Sequence, residues 1–256
     1  MQGIDPSTNA AQPQTIRTNR ATLSARYIVG ADGHQSRIRA WAGLDRASIS
    51  ARRIGLRQHF ALRPWTSHVE VYWSSHGQAY VTPIAPDEVC VAFVSTGKHL
   101  DVTQALAHFP ELQRRLASAP PTGTPRGSIT LSRRLHRVTR GNIALIGDAS
   151  GSVDAVTGEG LSLCFRQSLA LAAALQANDL TQYQLAHTAM HRLPHLMARA
   201  LLLMDSSPLL RTRVIQLCAA HPSIFDRLLQ LHIGHSQLHL FCAKGLLSNG
   251  EHLLTP

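Results

Sequence analysis

GNIALIGDASGSVDAVTGEGLSLCFRQSLALAAAL, residues 141–175, is the stretch on which the fold turns. Its apolar run from Asn142 to Ile146 predicts a short strand. Gly147 allows a backbone turn that a side chain would block. Asp148 then carries a carboxylate out of the strand's C-terminal end, where ligands bind in open α/β sheets. Ala149 to Gly160 forms a loop rich in Gly, Ser and Asp, among them Gly151, Thr157, Gly158 and Glu159. Gly158 and Gly160 permit close approach of backbone to a ligand. Beyond them Leu161, Cys164, Phe165, Ser168, Leu169, Ala172 and Leu175 recur at helical spacing. The start of that helix offers free N–H groups and a positive dipole end, suited to a phosphate.

A second segment repeats the logic. In ARYIVGADGHQSRIRAW, residues 25–41, Ala25 to Ala31 predicts a buried strand ending at glycine. Asp32 and Gly33 make the turn, flanked by Gly30, and His34 to Ala42 predicts a helix. Ser36 falls in its first turn. Arg37 and Arg39 supply charge for a phosphate or a neighbouring carboxylate. Between the two segments, residues 54–96 predict an antiparallel sheet with strands at Val69–Trp73, Gln78–Ile84 and Val89–Ser95. Residues 101–119 predict one helix closed by Pro120 and Pro121, and residues 120–128 a linker. Residues 1–15 read as loop or frayed strand. From Thr181 onward the pattern is helical, broken by Pro194, Pro208 and Pro222.

GADGHQSRIR and LIGDASGSVDAVTGEGL together resemble the two downstream fingerprints of FAD-dependent oxidoreductases of the p-hydroxybenzoate hydroxylase and geranylgeranyl reductase type. Two such turns in this order, more than a hundred residues apart, are far more specific than either alone. The resemblance covers residues 15–180 and implies FAD as cofactor. It implies that Asp148 holds the ribityl hydroxyls, and that Gly147, Ala149 and Gly151 bind the cofactor in a loop that cradles the flavin. Thr157, Gly158, Glu159, Gly160 and Leu161 would lie beside the isoalloxazine, where the helix start faces the charge of a reduced ring. Gly30, Asp32, Gly33 and Ser36 would support the cofactor from the neighbouring turn. The implied chemistry is hydride transfer from NAD(P)H to FAD, then to oxygen (monooxygenase) or to a carbon–carbon double bond (reductase), on an apolar or aromatic small molecule. No catalytic residue is assigned; His59, Tyr80 and Glu159 are candidates for the substrate side.

Two departures from the family pattern shape the expectations. The family opens with a strand, a GxGxxG turn and a helix that hold the ADP pyrophosphate, and no GxGxxG occurs in this sequence. The expectation is an incomplete FAD domain: a truncated product, a fragment, or a domain needing a partner chain, with weak FAD affinity alone. Its sheet edge and apolar helix faces would invite self-association. The alternative function is a non-catalytic remnant that binds no flavin. Second, Ala155 stands where reductase-like members often carry a proline, so the loop before Gly158 lacks that constraint.

The expected fold is α/β: a partial Rossmann-like FAD-binding domain with an inserted antiparallel sheet and a helical C-terminal tail. The expected organisation is residues 1–50 and 126–180 as two parts of the FAD domain, 51–125 as the sheet domain, and 181–256 as the helical region. Composition agrees with a folded chain: 256 residues, 44% hydrophobic, 16% charged. The net charge of +10 is nearly all arginine, with Lys98 and Lys244 the only lysines. The arginines are dispersed without a recognisable module, so nucleic acid is not an expected partner. Cys90, Cys164, Cys218 and Cys242 form no CxxC pair, which argues against a zinc site or a disulfide framework. His232, His235 and His239 share a helical face without a carboxylate or cysteine, and no metal is expected. The polar start carries no signal peptide pattern, and the chain is expected in the cytoplasm. Arg- and His-bearing helices over 186–247 leave peripheral contact with a membrane surface as a minor expectation.

Overall fold

A computed structural model describes residues 3–5, 13–96 and 101–232. The chain divides into two units, Met1–Arg192 and Leu193–Pro256. The first is a mixed α/β unit. It opens with strands β1 (Gly3–Asp5), β2 (Gln14–Arg17) and β3 (Thr22–Ala25), an antiparallel three-stranded sheet. Strand β4 (Ile28–Gly30) and helix α1 (Arg37–Trp41) follow. Next come β5 (Ala47–Ala61), β6 (Glu70–Ser74), β7 (Gly77–Ala85) and β8 (Glu88–Ser95). Helices α2 (Val102–Ala107) and α3 (Pro110–Leu116) precede β9 (Pro121–Leu135), β10 (Thr139–Arg140), β11 (Ile143–Leu145) and β12 (Gly151–Ser152). Helix α4 spans Gly160–Gln176 and α5 spans Leu180–Ser206, across the boundary between the units.

Two further sheets organise the unit. The larger is antiparallel, in the order β12-β9-β5-β8-β7-β6. Val89, Val91 and Phe93 alternate inward along β8. They join Ala79 and Val81 of β7 under Phe109, Leu112 and Leu116 of the helical segment. The smaller sheet runs β10-β11-β4, with β11 parallel to β4. Around it lies a second core of Ile28, Ile38, Ile143 and Leu145 with Leu171 and Tyr183.

Several expectations change. The strand expected over 25–31 keeps only Ile28–Gly30, because Ala25 pairs with Gln14 in β3. The frayed start holds β1 and β2, paired through Ile4 and Ile16. The single helix over 101–119 is two: Pro110 cannot donate an N–H, so it opens α3 instead of continuing α2. The linker over 120–128 is strand, because pairing with β5 takes up its backbone groups from Pro121 onward. Pro194 lies inside α5 without ending it. A long helix accommodates the loss of one hydrogen bond. Pro208 and Pro222 do start new helices.

Helix α4 forms as the spacing predicts, but turned. Leu163, Gln167, Leu171 and Ala174 are buried. Leu161, Phe165 and Leu169 of the expected stripe are 74%, 66% and 74% exposed. The second unit holds the end of α5, then α6 (Pro208–Ala220) and α7 (Pro222–His232). Among the described residues no helix is long and apolar enough to cross a membrane, and no group of His, Cys, Asp and Glu could hold a metal ion. His235, His239, Lys98, Lys244 and Cys242 lie outside the described residues.

Candidate functional site

The two strand-turn-helix segments meet. Gly30 stands opposite Leu145 in the parallel pair, and the Ile146 N–H donates to the Gly30 carbonyl at 2.9 Å. Both turns therefore leave the same end of the smaller sheet. Gly30 makes this possible by its size: a Cβ there would fall 2.6 Å from Leu145 Cδ2 and 2.8 Å from Ile38 Cγ2. Arg39 ties the turns together from a buried position. Its Nη1 donates to the Ala149 carbonyl at 3.1 Å, its Nη2 to the His34 carbonyl at 2.8 Å, and its Nε pairs with Asp45 Oδ1 at 2.6 Å.

Asp32 and Ser36 are engaged with α1. The Ser36 hydroxyl donates to Asp32 Oδ1 and accepts the Arg39 N–H at 2.9 Å. Asp32 Oδ2 accepts the Arg37 N–H at 2.7 Å and the Ile38 N–H at 3.2 Å. Burial alone would raise the Asp32 carboxyl. The hydrogen bonds from Ser36 and from the helix N–H groups outweigh it and hold the group below its ordinary value. Gly33 beside it faces open space.

At the other turn Gly147–Ser150 winds into a single 3₁₀ turn. Asp148 is exposed at its tip, and its carboxylate makes no hydrogen bond or ion pair with any described residue. The loop beyond is fixed without a proline. Buried Asp154 accepts the Val156 N–H at 3.0 Å and lies 3.7 Å from Arg53 Nε of β5. The Thr157 hydroxyl donates to the Asp154 carbonyl at 3.1 Å. Gly151 pairs with Arg134 of β9, which holds the loop to the larger sheet.

Gly158 closes the loop in the left-handed conformation, φ +69°, which glycine adopts without strain. Apart from the neighbouring residues and the backbone of α4 itself, no atom lies within 4 Å of the positions a Cβ would take at Gly158 or Gly160. Helix α4 begins there behind Glu159 with no side-chain cap. Serine or aspartate side chains cap α1, α2 and α6. The 17-residue α4 thus presents its positive end and first-turn N–H groups beside Leu161, which is exposed.

Of the substrate-side candidates, Tyr80 reaches this loop: its hydroxyl lies 3.2 Å from the Val156 carbonyl and 2.8 Å from Gln78 Oε1. Glu159 is the residue before α4. His59 is not brought here; it pairs with Cys90 and lies 3.4 Å from Glu88, six residues along β5 from Arg53 and so roughly 20 Å away. Sequence reasoning missed a buried polar cluster behind Gly147, formed by Ser150, Gln167, Tyr183, His187 and His191. Its signal was legible: Tyr183, His187 and His191 recur every four residues, and Gln167 is the one polar residue on the buried face of α4.

The family described as "FAD binding domain" matches residues 4–181. The chain belongs to this family. No curated protein matches its sequence at a comparable level. Among solved structures it is similar to p-nitrophenol 4-monooxygenase PnpA from Pseudomonas putida DLL-E4, at TM-score 0.71 and 16% identity, over 92% of this chain and 67% of that one. It is also similar to the Diels-Alderase PyrE3 of pyrroindomycin biosynthesis, at TM-score 0.68 and 20% identity, over 91% of this chain and 54% of that one. A third is CabE, an aromatic hydroxylase from angucycline biosynthesis, at TM-score 0.64 and 17% identity, over 91% of this chain and 52% of that one. The chain thus spans about half the length of two of these proteins. At these identities the likeness establishes the fold.

Proposed function

We propose that the chain holds FAD at the joined ends of β4 and β11, as part of an oxidoreductase that acts on an apolar or aromatic small molecule with NAD(P)H as electron donor. The observation that carries this reading is the contrast among three turn aspartates. Asp32 and Asp154 are engaged by protein groups, whereas Asp148 points out with its carboxylate unclaimed by any described residue. The residues present fit the cofactor. Asp148 offers acceptors for the ribityl hydroxyls, and the backbone at Gly33, Gly158 and Gly160 stands open to a ligand's approach, with no non-neighbouring atom within 4 Å of where a Cβ would sit. The uncapped α4 terminus offers N–H donors to the ring's pyrimidine edge. When bound, FAD would supply the redox chemistry, taking hydride from the donor and handing its electrons to the acceptor. The chain's own part is to fix the ring and to place partial positive charge where the reduced cofactor is negative. The descriptions of PnpA and CabE favour oxygen over a carbon–carbon double bond as the acceptor. The loop resembling geranylgeranyl reductases keeps reduction as the alternative.

A second reading, a scaffold that does not retain flavin by itself, is favoured by the position of β4 at the edge of a three-stranded sheet. Visible spectra after incubation with excess FAD and desalting separate the two: flavin bands support the first, a colourless chain the second. Titration of Asp148→Asn then tests the residue. Loss of a charge-assisted hydrogen bond costs about 1.5–3 kcal/mol, so Kd for FAD should rise about tenfold to a hundredfold, with apo-chain stability unchanged. An unchanged Kd would remove Asp148 from the site.

A further inference from the structure

We infer that Gln167 is the positioning residue of the Gly147–Asp148 turn, held in its working orientation by a neutral His191. The consequence for cofactor affinity rests on the flavin reading above; the geometry does not. Gln167 is 1% exposed on the inner face of α4. Its Oε1 accepts the Gly147 N–H at 2.6 Å and lies 3.3 Å from the Ser150 hydroxyl. A backbone N–H can only donate, so the amide oxygen must face Gly147 and the amide nitrogen must face the other way. That nitrogen is 2.8 Å from His191 Nε2. An NH₂ group also only donates, so His191 Nε2 bears a lone pair and the ring proton is on Nδ1. The Ser150 hydroxyl spends its proton on the Gly147 carbonyl at 2.8 Å, so it accepts from His187 Nε2 at 3.0 Å.

The rings behind this are fixed in turn. His187 stacks on His191 with centroids 4.2 Å apart. Tyr183 meets His187 edge-on at 5.9 Å and donates its hydroxyl to the Leu145 carbonyl at 2.6 Å. Among the described residues, the titratable groups about this cluster include Tyr183 and His187 of α5 and Cys164 of α4, with the Asp148 carboxylate exposed on the turn. Donation thus runs from the Gly147 N–H through the Gln167 amide to His191 of α5, and from His187 through Ser150 back to the Gly147 carbonyl. Reversing the amide would set its N–H₂ against the Gly147 N–H and release the turn.

The experiment uses the full chain with Gln167→Met, which keeps the volume and removes the acceptor, and Gln167→Glu, which keeps the acceptor. Gly147 amide exchange is read without flavin, Kd by FAD titration, and the His191 imidazole by ¹⁵N chemical shift. In Gln167→Met, exchange at Gly147 should speed up about tenfold and Kd should rise about tenfold, the worth of one buried hydrogen bond. Gln167→Glu should restore both, and its His191 should become doubly protonated because a carboxylate needs a donor there. Unchanged exchange at Gly147 in Gln167→Met overturns the inference, as does a singly protonated His191 in Gln167→Glu. Faster exchange with an unchanged Kd overturns the link to the cofactor. Should the parent chain bind no FAD, the flavin reading fails while the exchange and imidazole measurements still decide the role of Gln167. Should Gln167→Met lose its circular dichroism, the His191 signal in Gln167→Glu decides.

Discussion

A single methyl group tests whether the two turns must touch. Gly30→Ala would drive a Cβ into Leu145 and Ile38, and overpacking of this kind costs about 1–3 kcal/mol. Thermal unfolding should show that loss; an unchanged Tm would mean the strands part easily. Asp32 makes a prediction with a sign. Its carboxyl is held below the ordinary value of 3.8, so its ionised form stabilises the folded chain. That contribution is complete above the ordinary value and disappears as pH falls through the lower folded value. In urea unfolding, the parent chain should exceed Asp32→Asn in stability at pH 7 and lose the advantage in acid. At this scale the sequence was informative about position and poor about allegiance. Strand-end glycines and aspartates marked both turns, because only a few residue types fit such turns. That Asp32 serves α1 while Asp148 serves no described neighbour depends on which N–H groups the fold brings within reach.

Helix α4 shows what periodicity determines and what it leaves open. Its spacing announced a helix, but two apolar stripes share that spacing. The buried one includes Leu163 and Leu171; the exposed one includes Leu161, Phe165 and Leu169. A hydrophobic stripe does not say which sheet it will meet. Leu171→Ala should cost about 2–5 kcal/mol. Leu169→Lys should leave stability within about 0.5 kcal/mol and, by charging the exposed stripe, lower any concentration-dependent rise in sedimentation mass. Equal losses from the two substitutions would mean that both faces are buried in solution. Strand β9 escaped the sequence reading for a related reason. Its Pro and Gly content resembles a linker, and only its long-range pairing with β5 makes it strand.

Across the molecule, burial shows in the tyrosines, of which there are four. Tyr72 is pushed up to about 12 by burial and by its hydrogen bond to Glu70. Tyr183 is pushed up by burial in the second core. Both retain their protons folded beyond the ordinary value of 10, so their contribution to stability is complete below pH 10 and is lost as pH rises through the folded values. Absorbance at 295 nm in an alkaline titration should show late ionisation that becomes ordinary once urea unfolds the chain. Ordinary titration in the native chain would contradict this packing. The order of segments across the molecule was legible, since hairpins and βα turns are local. The three-stranded sheet at the start was not, because its pairing partners are short and polar.

The parallel pairing of β4 with β11 has a kinetic consequence. Ile28 and Ile143 are partners 115 positions apart (143 minus 28). Closing so long a loop carries an entropic cost that hairpins such as β6–β7 avoid. The local meander can therefore assemble while the ends that frame Asp32 and Asp148 are still separate. On a ribosome the turn that carries Asp32 has no counterpart until residue 148 has emerged, so the proposed flavin site would be completed late in synthesis rather than serve as its template.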